Sequence, residues 1–187
     1  MTLGNAPHRP SQREAALDHA LDLLRVGGAL SLESAARAAG LSKPGLMYHF
    51  PTKEALITAM VDHLVDGYER ELFALLPEPS VSTPTTAERL TAYLRWALTS
   101  THDAADLVIL SDPKLRDRMI VRWTDRLRAW IEVPADLPAE HRARLHALRF
   151  IADGCWFADA SNVLPLPAAD RPALLAIALE LLNGIDS

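Results

Sequence analysis

Cysteine is almost missing from this chain, and Cys155 stands alone. An internal disulfide and a cysteine-rich zinc site are therefore both excluded. Lysine is nearly as scarce, with three residues against sixteen arginines, so there is no polybasic lysine tail. The eight glycines form no phosphate-cradling loop. No G-x-S-x-G elbow and no H-E-x-x-H pair occurs either, so no catalytic residue is assigned and no cofactor is implied. Long apolar runs are also lacking. None approaches the roughly 18 residues that span a bilayer, and the oily stretch ALLAIALELLNG is broken by Glu180. The first residues carry no basic-then-apolar leader pattern. The expectation is a cytoplasmic protein with no membrane partner.

What is present is helix-forming and unevenly charged. The net charge is -5, yet residues 1–56 hold six basic against five acidic side chains, and the remainder thirteen against nineteen. The acidity lies outside the first third, so it does not argue against a nucleic-acid partner there. Apolar residues recur at helical spacing throughout, and no alternating run is long enough for a sheet. The fold class read from this is all-α.

Punctuation divides the chain. Residues 1–10, with Gly4, Pro7 and Pro10, read as an arm. Ser11 with Glu14 forms a capping box that opens a first helix, which Gly27-Gly28 stops. Ser31 caps a second helix, Gly40 turns the chain, and Ser42 caps a third with Pro44 in its first turn. Residues 11–56 thus form a compact three-helix unit, with a helix-turn-helix at 31–50. A long fourth helix runs from Lys53 to about Leu76, and its portion over 57–76 is the connecting helix. PEPSVSTPTT, residues 77–86, reads as a linker. A larger helical unit fills 87–187, with helices expected over 87–101, 104–110, 113–132, 139–162 and 170–183.

Two short helices joined by a glycine-containing turn offer the second helix to the major groove of DNA. If Leu46 and Phe50 face inward, a 100° advance per residue sends Pro44 and Tyr48 outward. Gly45 and Met47 lie on the flanks and His49 at the edge. Tyr, His and Met beside Lys43 suit contacts to sugar, phosphate and the thymine methyl. Lys43 and Lys53 each sit in a helix's first turn, where the macrodipole disfavours a cation and a docked phosphate would reverse that cost. The alternative is that Tyr48 and His49 pack against the first and fourth helices.

A-R-A-A-G-L-S-K at 36–43 and L-M-Y-H-F-P-T-K-E-A-L at 46–56 resemble the DNA-binding domain of the TetR family of bacterial transcriptional repressors, over residues 11 to about 70. The resemblance implies an all-helical homodimer with an N-terminal reader and a divergent C-terminal ligand and dimerisation domain. It aligns Ser42, Lys43, Gly45, Tyr48, His49 and Lys53 with family DNA contacts. With the neighbouring cap and helix faces, the candidate DNA-binding residues are Ser31, Ser42, Lys43, Pro44, Gly45, Met47, Tyr48, His49 and Lys53. Pro44 stands where the family commonly has Gly, and Met47 where it usually has Tyr.

In the larger unit, Tyr93, Trp96, His102, Met119, Trp123 and Trp156 are candidates for an apolar effector pocket, with ordinary core as the competing reading. The last two helices are the dimer candidates, through Leu148, Ala152, Cys155, Leu174, Ala178 and Leu181. Burial within one subunit explains the same pattern. Asp153 and Asp159 are ligand-facing, dimer-crossing or exposed. The groups His102, Asp103, Asp106 and Asp62, Asp66 read as solvated helix starts and faces, and no metal is assigned. The functional expectation is a homodimeric repressor that binds a two-fold double-stranded operator and is released by a small apolar effector. The alternative is a DNA-binding module governed by protein partners or abundance, without an effector.

Overall fold

The computed structural model describes residues 11–77, 83–183 and Ile185. The expected arm, and residues 78–82 of the expected linker, lie outside the described residues. Within the described residues every regular element is helical: α1 (Gln12–Arg25), α2 (Leu32–Ala38), α3 (Lys43–His49), α4 (Lys53–Ala74), α5 (Thr86–Thr99), a 3-10 segment (Ala104–Leu110), α6 (Arg116–Ile131), α7 (Ala139–Ser161) and α8 (Arg171–Glu180). The chain is all-α.

Capping fixes the helix starts. The Ser11 hydroxyl accepts the Glu14 N–H at 3.2 Å, and the Glu14 carboxylate accepts the Ser11 N–H at 2.7 Å. Ser31 and Ser34 exchange the equivalent pair at 3.0 and 2.9 Å, and Thr85 with Glu88 does so at 3.2 and 2.8 Å. Two helices stop where glycine takes a left-handed backbone: Gly27 at φ 74° and Gly40 at φ 66°. The residue after each donates back into the helix, Gly28 to the Leu23 carbonyl and Leu41 to the Ala36 carbonyl, both at 2.8 Å. A side chain at either glycine would be forced into a costly conformation.

Several ends differ from the sequence reading. Residues 104–110 form a 3-10 segment kinked at Leu107, with Asp103 and Asp106 capping one another. The sixth helix starts at Arg116 rather than 113. Asp112 draws the next residues into a turn, its Oδ1 accepting the Lys114 N–H at 2.9 Å and its carbonyl the Leu115 N–H at 3.1 Å. The eighth ends at Glu180, and Leu181, Leu182 and Asn183 then bond three residues back. Tightening of this kind satisfies carbonyls left open at a helix end.

One apolar core runs through both halves. Leu17, Leu21, Leu46, Phe50 and Leu56 close the three-helix unit, and Val65, Leu72, Leu90, Leu94 and Leu145 continue the core beyond it. α4 belongs to both, packing on α1 at one end and on α5 and α6 along its length. Its acidic side meets a row of arginines spaced four apart on α6. Arg118 pairs with Glu54, Arg122 grips Asp62 with both arms of its guanidinium, and Arg126 reaches Asp66 at 2.6 Å and Glu69 at 3.2 Å. These pairs are partly exposed, so each contributes less than about 1 kcal/mol and serves mainly to fix how α6 lies on α4.

α3 has seven residues, too few to hold its shape alone, so its anchors carry it. Leu46→Ala should destabilise the protein by about 2–5 kcal/mol in urea unfolding. Tyr48→Ala, on the exposed face of the same helix, should stay within about 0.5 kcal/mol.

Candidate nucleic-acid interface

The short third helix is fixed from below and bare above. Leu46 and Phe50 are 0% and 1% exposed, whereas Tyr48 is 85% exposed. Lys43, Pro44 and Met47 are exposed, and Gly45 and His49 are half-buried. The outward and inward faces thus fall where helical periodicity put them. The Tyr48 ring meets the His49 ring edge-on, with centroids 5.2 Å apart, so the two aromatics form one ledge.

The start of the helix is built by Ser42, whose hydroxyl accepts the Gly45 N–H at 3.1 Å. A Cβ on Gly45 would sit 3.2 Å from that hydroxyl, crowding the cap. Pro44 lies in the first turn, where it forfeits no helical hydrogen bond. Ser31 does the same work at the start of α2, and its hydroxyl is committed to Ser34. Thr52 caps α4 by accepting the Ala55 N–H at 3.0 Å.

Both interface lysines have partners within the chain. Lys43 pairs with Glu33 of α2, and this ammonium, foremost, holds the Glu33 carboxyl below the usual range. Lys53 Nζ lies 2.8 Å from Asp112 Oδ2, beyond the 3-10 segment. The Asp112 carboxyl is likewise held low, by Lys53 first and then by the Lys114 N–H. Sequence reading did not foresee either pairing, because the partners are 10 and 59 positions away. It also passed over two cations. Arg13 of α1 lies over the Phe50 ring at 5.0 Å, and Arg37 of α2 is exposed with no ion pair among the described residues. Arg37 falls within the A-R-A-A-G motif, which was the available signal.

Five of the six candidate pocket residues come together. Trp96 stacks on Tyr93 at 5.6 Å and meets His102 edge-on at 4.5 Å. Tyr68 of α4 lies between Trp96 and Trp123, and Trp123 leads to Trp156 at 5.7 Å. Met119 is set apart, beside Thr58. Polar groups tie the cluster down. Tyr68 donates to Asp106, Tyr93 donates to Asp153 at 2.8 Å, and the Trp96 N–H donates to Glu71 at 2.9 Å. Burial, then the facing carboxylates, pushes both tyrosine hydroxyls well above their ordinary range, and burial raises Asp153. The Trp156 indole N–H is buried with no hydrogen-bond partner among the described residues. Tyr68 and Glu71 escaped sequence reading because they lie on the connecting helix.

On the last two helices the candidate interface residues turn inward. Leu148, Ala152 and Ala178 are fully buried in the subunit, Cys155 is buried, and Leu174 and Leu181 are half-buried. The α7 stripe Leu145, Leu148, Ala152, Cys155 packs into the core of its own subunit. The apolar side chains left outside are Phe150 (60% exposed), Phe157 (48%) and Ile177 (62%). Asp153 is committed to Tyr93. Asp159 accepts two bonds from Arg171, at 2.7 and 2.8 Å, and so pins α8 to α7.

Asp62 and Asp66 are taken up by the α6 arginines, and Asp103 by Arg25 of α1 at 2.8 Å. Among the described residues no cluster of three or more His, Cys, Asp or Glu side chains could hold a metal ion. No described helix is long and apolar enough to cross a membrane.

Residues 17–60 match the family described as bacterial regulatory proteins, tetR family. No curated protein sequence is a match. The fold is that of several solved structures. One is the multidrug binding protein EbrR complexed with malachite green, at 21% identity and TM-score 0.62, covering 92% of this chain and 98% of that one. Salmonella enterica GusR is 19% identical with TM-score 0.56, covering 91% and 95%. The ketosteroid transcriptional regulator KstR2 of Mycobacterium tuberculosis is 24% identical with TM-score 0.54, covering 94% and 96%.

Removing the cap hydroxyl with Ser42→Ala should cost about 1 kcal/mol of stability. Thermal unfolding followed by circular dichroism checks this, and an unchanged midpoint would show that the cap contributes nothing.

Proposed function

We propose that this chain is a TetR-family transcriptional regulator acting as a homodimeric repressor, that α3 enters the major groove of each operator half-site, and that a small molecule releases it. The observation that carries the DNA contact is the exposed Tyr48 ledge on a helix whose other face is sealed. Tyr48, Met47 and His49 meet sugar, phosphate and base edges. Gly45 lets the backbone come close, and Lys43 and Lys53 take phosphates at the N-termini of α3 and α4. Arg37 adds a further cation. To grip DNA, each lysine exchanges a carboxylate for a phosphate, so the contact is a swap of partners rather than the pairing of a free charge.

Two copies are required because half-sites about one helical turn apart must be met together. Phe150, Phe157 and Ile177 are the side chains offered for that pairing. Release is a matter of differential affinity: an effector shifts the reader only by binding one arrangement better than another. The 3-10 segment is the coupling element. It and its flanks hold α1 through Arg25–Asp103, the start of α4 through Lys53–Asp112, and the middle of α4 through Tyr68–Asp106. A ligand entering beside the unpaired Trp156 N–H disturbs the aromatic cluster, and through Tyr68 and His102 the segment that holds the reader. That a protein of similar fold is a multidrug binding protein complexed with malachite green supports an effector for this chain.

Lys53→Ala should lower the slope of log affinity against log salt by about 0.9, the value for a single phosphate no longer neutralised. An unchanged slope removes Lys53 from the interface. Separately, Ile177→Arg with Phe157→Arg should shift the protein to monomer in sedimentation equilibrium and abolish operator binding. A dimer that survives both changes places the subunit contact elsewhere.

A further inference from the structure

A cleft lies away from the aromatic cluster, at the seam between the three-helix unit and the larger domain. Its volume is about 440 Å³, and its walls come from the α1–α2 turn, the first turn of α4 and the 3-10 segment. Leu24, Leu30, Leu107 and Leu110 supply apolar surface, and Leu110 is 41% exposed. Two polar groups interrupt the apolar walls. One is the Ser111 hydroxyl, which is buried with no hydrogen-bond partner among the described residues. The other is Lys53, whose ammonium is held at 2.8 Å by Asp112, the residue next to Ser111. The hydroxyl and the ammonium thus both belong to the lining of the cleft.

We propose that this seam binds an aliphatic carboxylate, with its chain against the leucines and its headgroup shared by Lys53 and Ser111. A pocket with apolar walls and a few convergent polar groups is a small-molecule site in form, and these groups set the class. The lysine disfavours an amine. A plain hydrocarbon would leave the buried hydroxyl unpaired, which is costly. A small inorganic anion would leave the leucines unused. The ligand carboxylate takes the place of Asp112 at Lys53 and accepts a hydrogen bond from Ser111. Asp112 is not stranded by the exchange, because its other oxygen keeps the Lys114 N–H at 2.9 Å. The consequence for the operator rests on the function proposed above: a lysine occupied from the seam side is withheld from phosphate, so the carboxylate weakens DNA binding.

The test uses octanoate on the full-length protein without DNA, by titration calorimetry together with amide shifts of Gly28, Leu107 and Ser111. Octanoate should bind and move those three amides. Octanol, which lacks the charge, and acetate, which lacks the chain, should each bind at least about tenfold more weakly. Lys53→Gln and Ser111→Ala, both in the lining of the seam, should each reduce octanoate affinity by about tenfold, the loss expected for a hydrogen bond to a charged group. Equal affinity for octanol, unchanged affinity in both variants, or shifts confined to the Trp96 and Trp123 region would overturn the proposal. A separate titration of operator-bound wild-type protein should show release by octanoate but not by acetate. Because the calorimetry contains no DNA, failure to bind an operator would sink the repressor reading and leave the seam site standing.

Discussion

A seven-residue helix cannot hold itself together in water, and α3 exists because Leu46 and Phe50 are driven into the core that it shares with α1, α2 and α4. That burial sets the rotation of the helix, and the rotation decides which side chains a duplex could meet. With Leu46 inward, Tyr48 has nowhere to go but out. The Ser42 cap and the Gly40 turn fix where the helix begins, so its orientation and its starting point are set independently. Everything assigned to the reader follows from those few interactions.

The same logic extends across the molecule through α4. One end of this helix is part of the reader's core, its middle belongs to the aromatic cluster, and its acidic side is laced to α6. α4 packs directly on α5, and the two halves share one apolar core. The 3-10 segment touches α1, α4, α6 and α7 and carries a polar tie to three points on the first two. An α-helix in its place would present different side chains to each neighbour. Asp103, Asp106 and Asp112 reach their separate targets from before, within and after this segment.

The helix content, the caps and the outward face of α3 were legible in the sequence because each depends on neighbours within four residues. Ser11 with Glu14, Gly27, Gly40 and the Leu46–Phe50 spacing all speak through local rules. The apolar stripe on α7 was legible as apolar but not as to its destination, since periodicity cannot say whether a stripe meets its own core or a partner. Phe150, Phe157 and Ile177 were separable from Leu148, Ala152 and Ala178 only once α5 and α7 were in place. The destinations of the charges were hidden for the same reason. Asp62 and Asp66 share a helix face, but nothing in the spacing names Arg122 and Arg126 as their partners. Tyr68 joined the aromatic cluster unannounced because it lies on the helix assigned to connection.

The matched charges at Glu33–Lys43 and Asp112–Lys53 bear on how such a protein would search a genome. Random duplex attracts proteins through unspent positive charge, and a reader whose lysines are already neutralised offers less of it, chiefly from arginines such as Arg37. Idle copies would then dissociate quickly from non-cognate sites and stay free in solution. Residence would be long only where shape and base edges add enough to make breaking two internal pairs worthwhile. Fidelity of this kind comes from a weak background rather than from a stronger grip on the correct site.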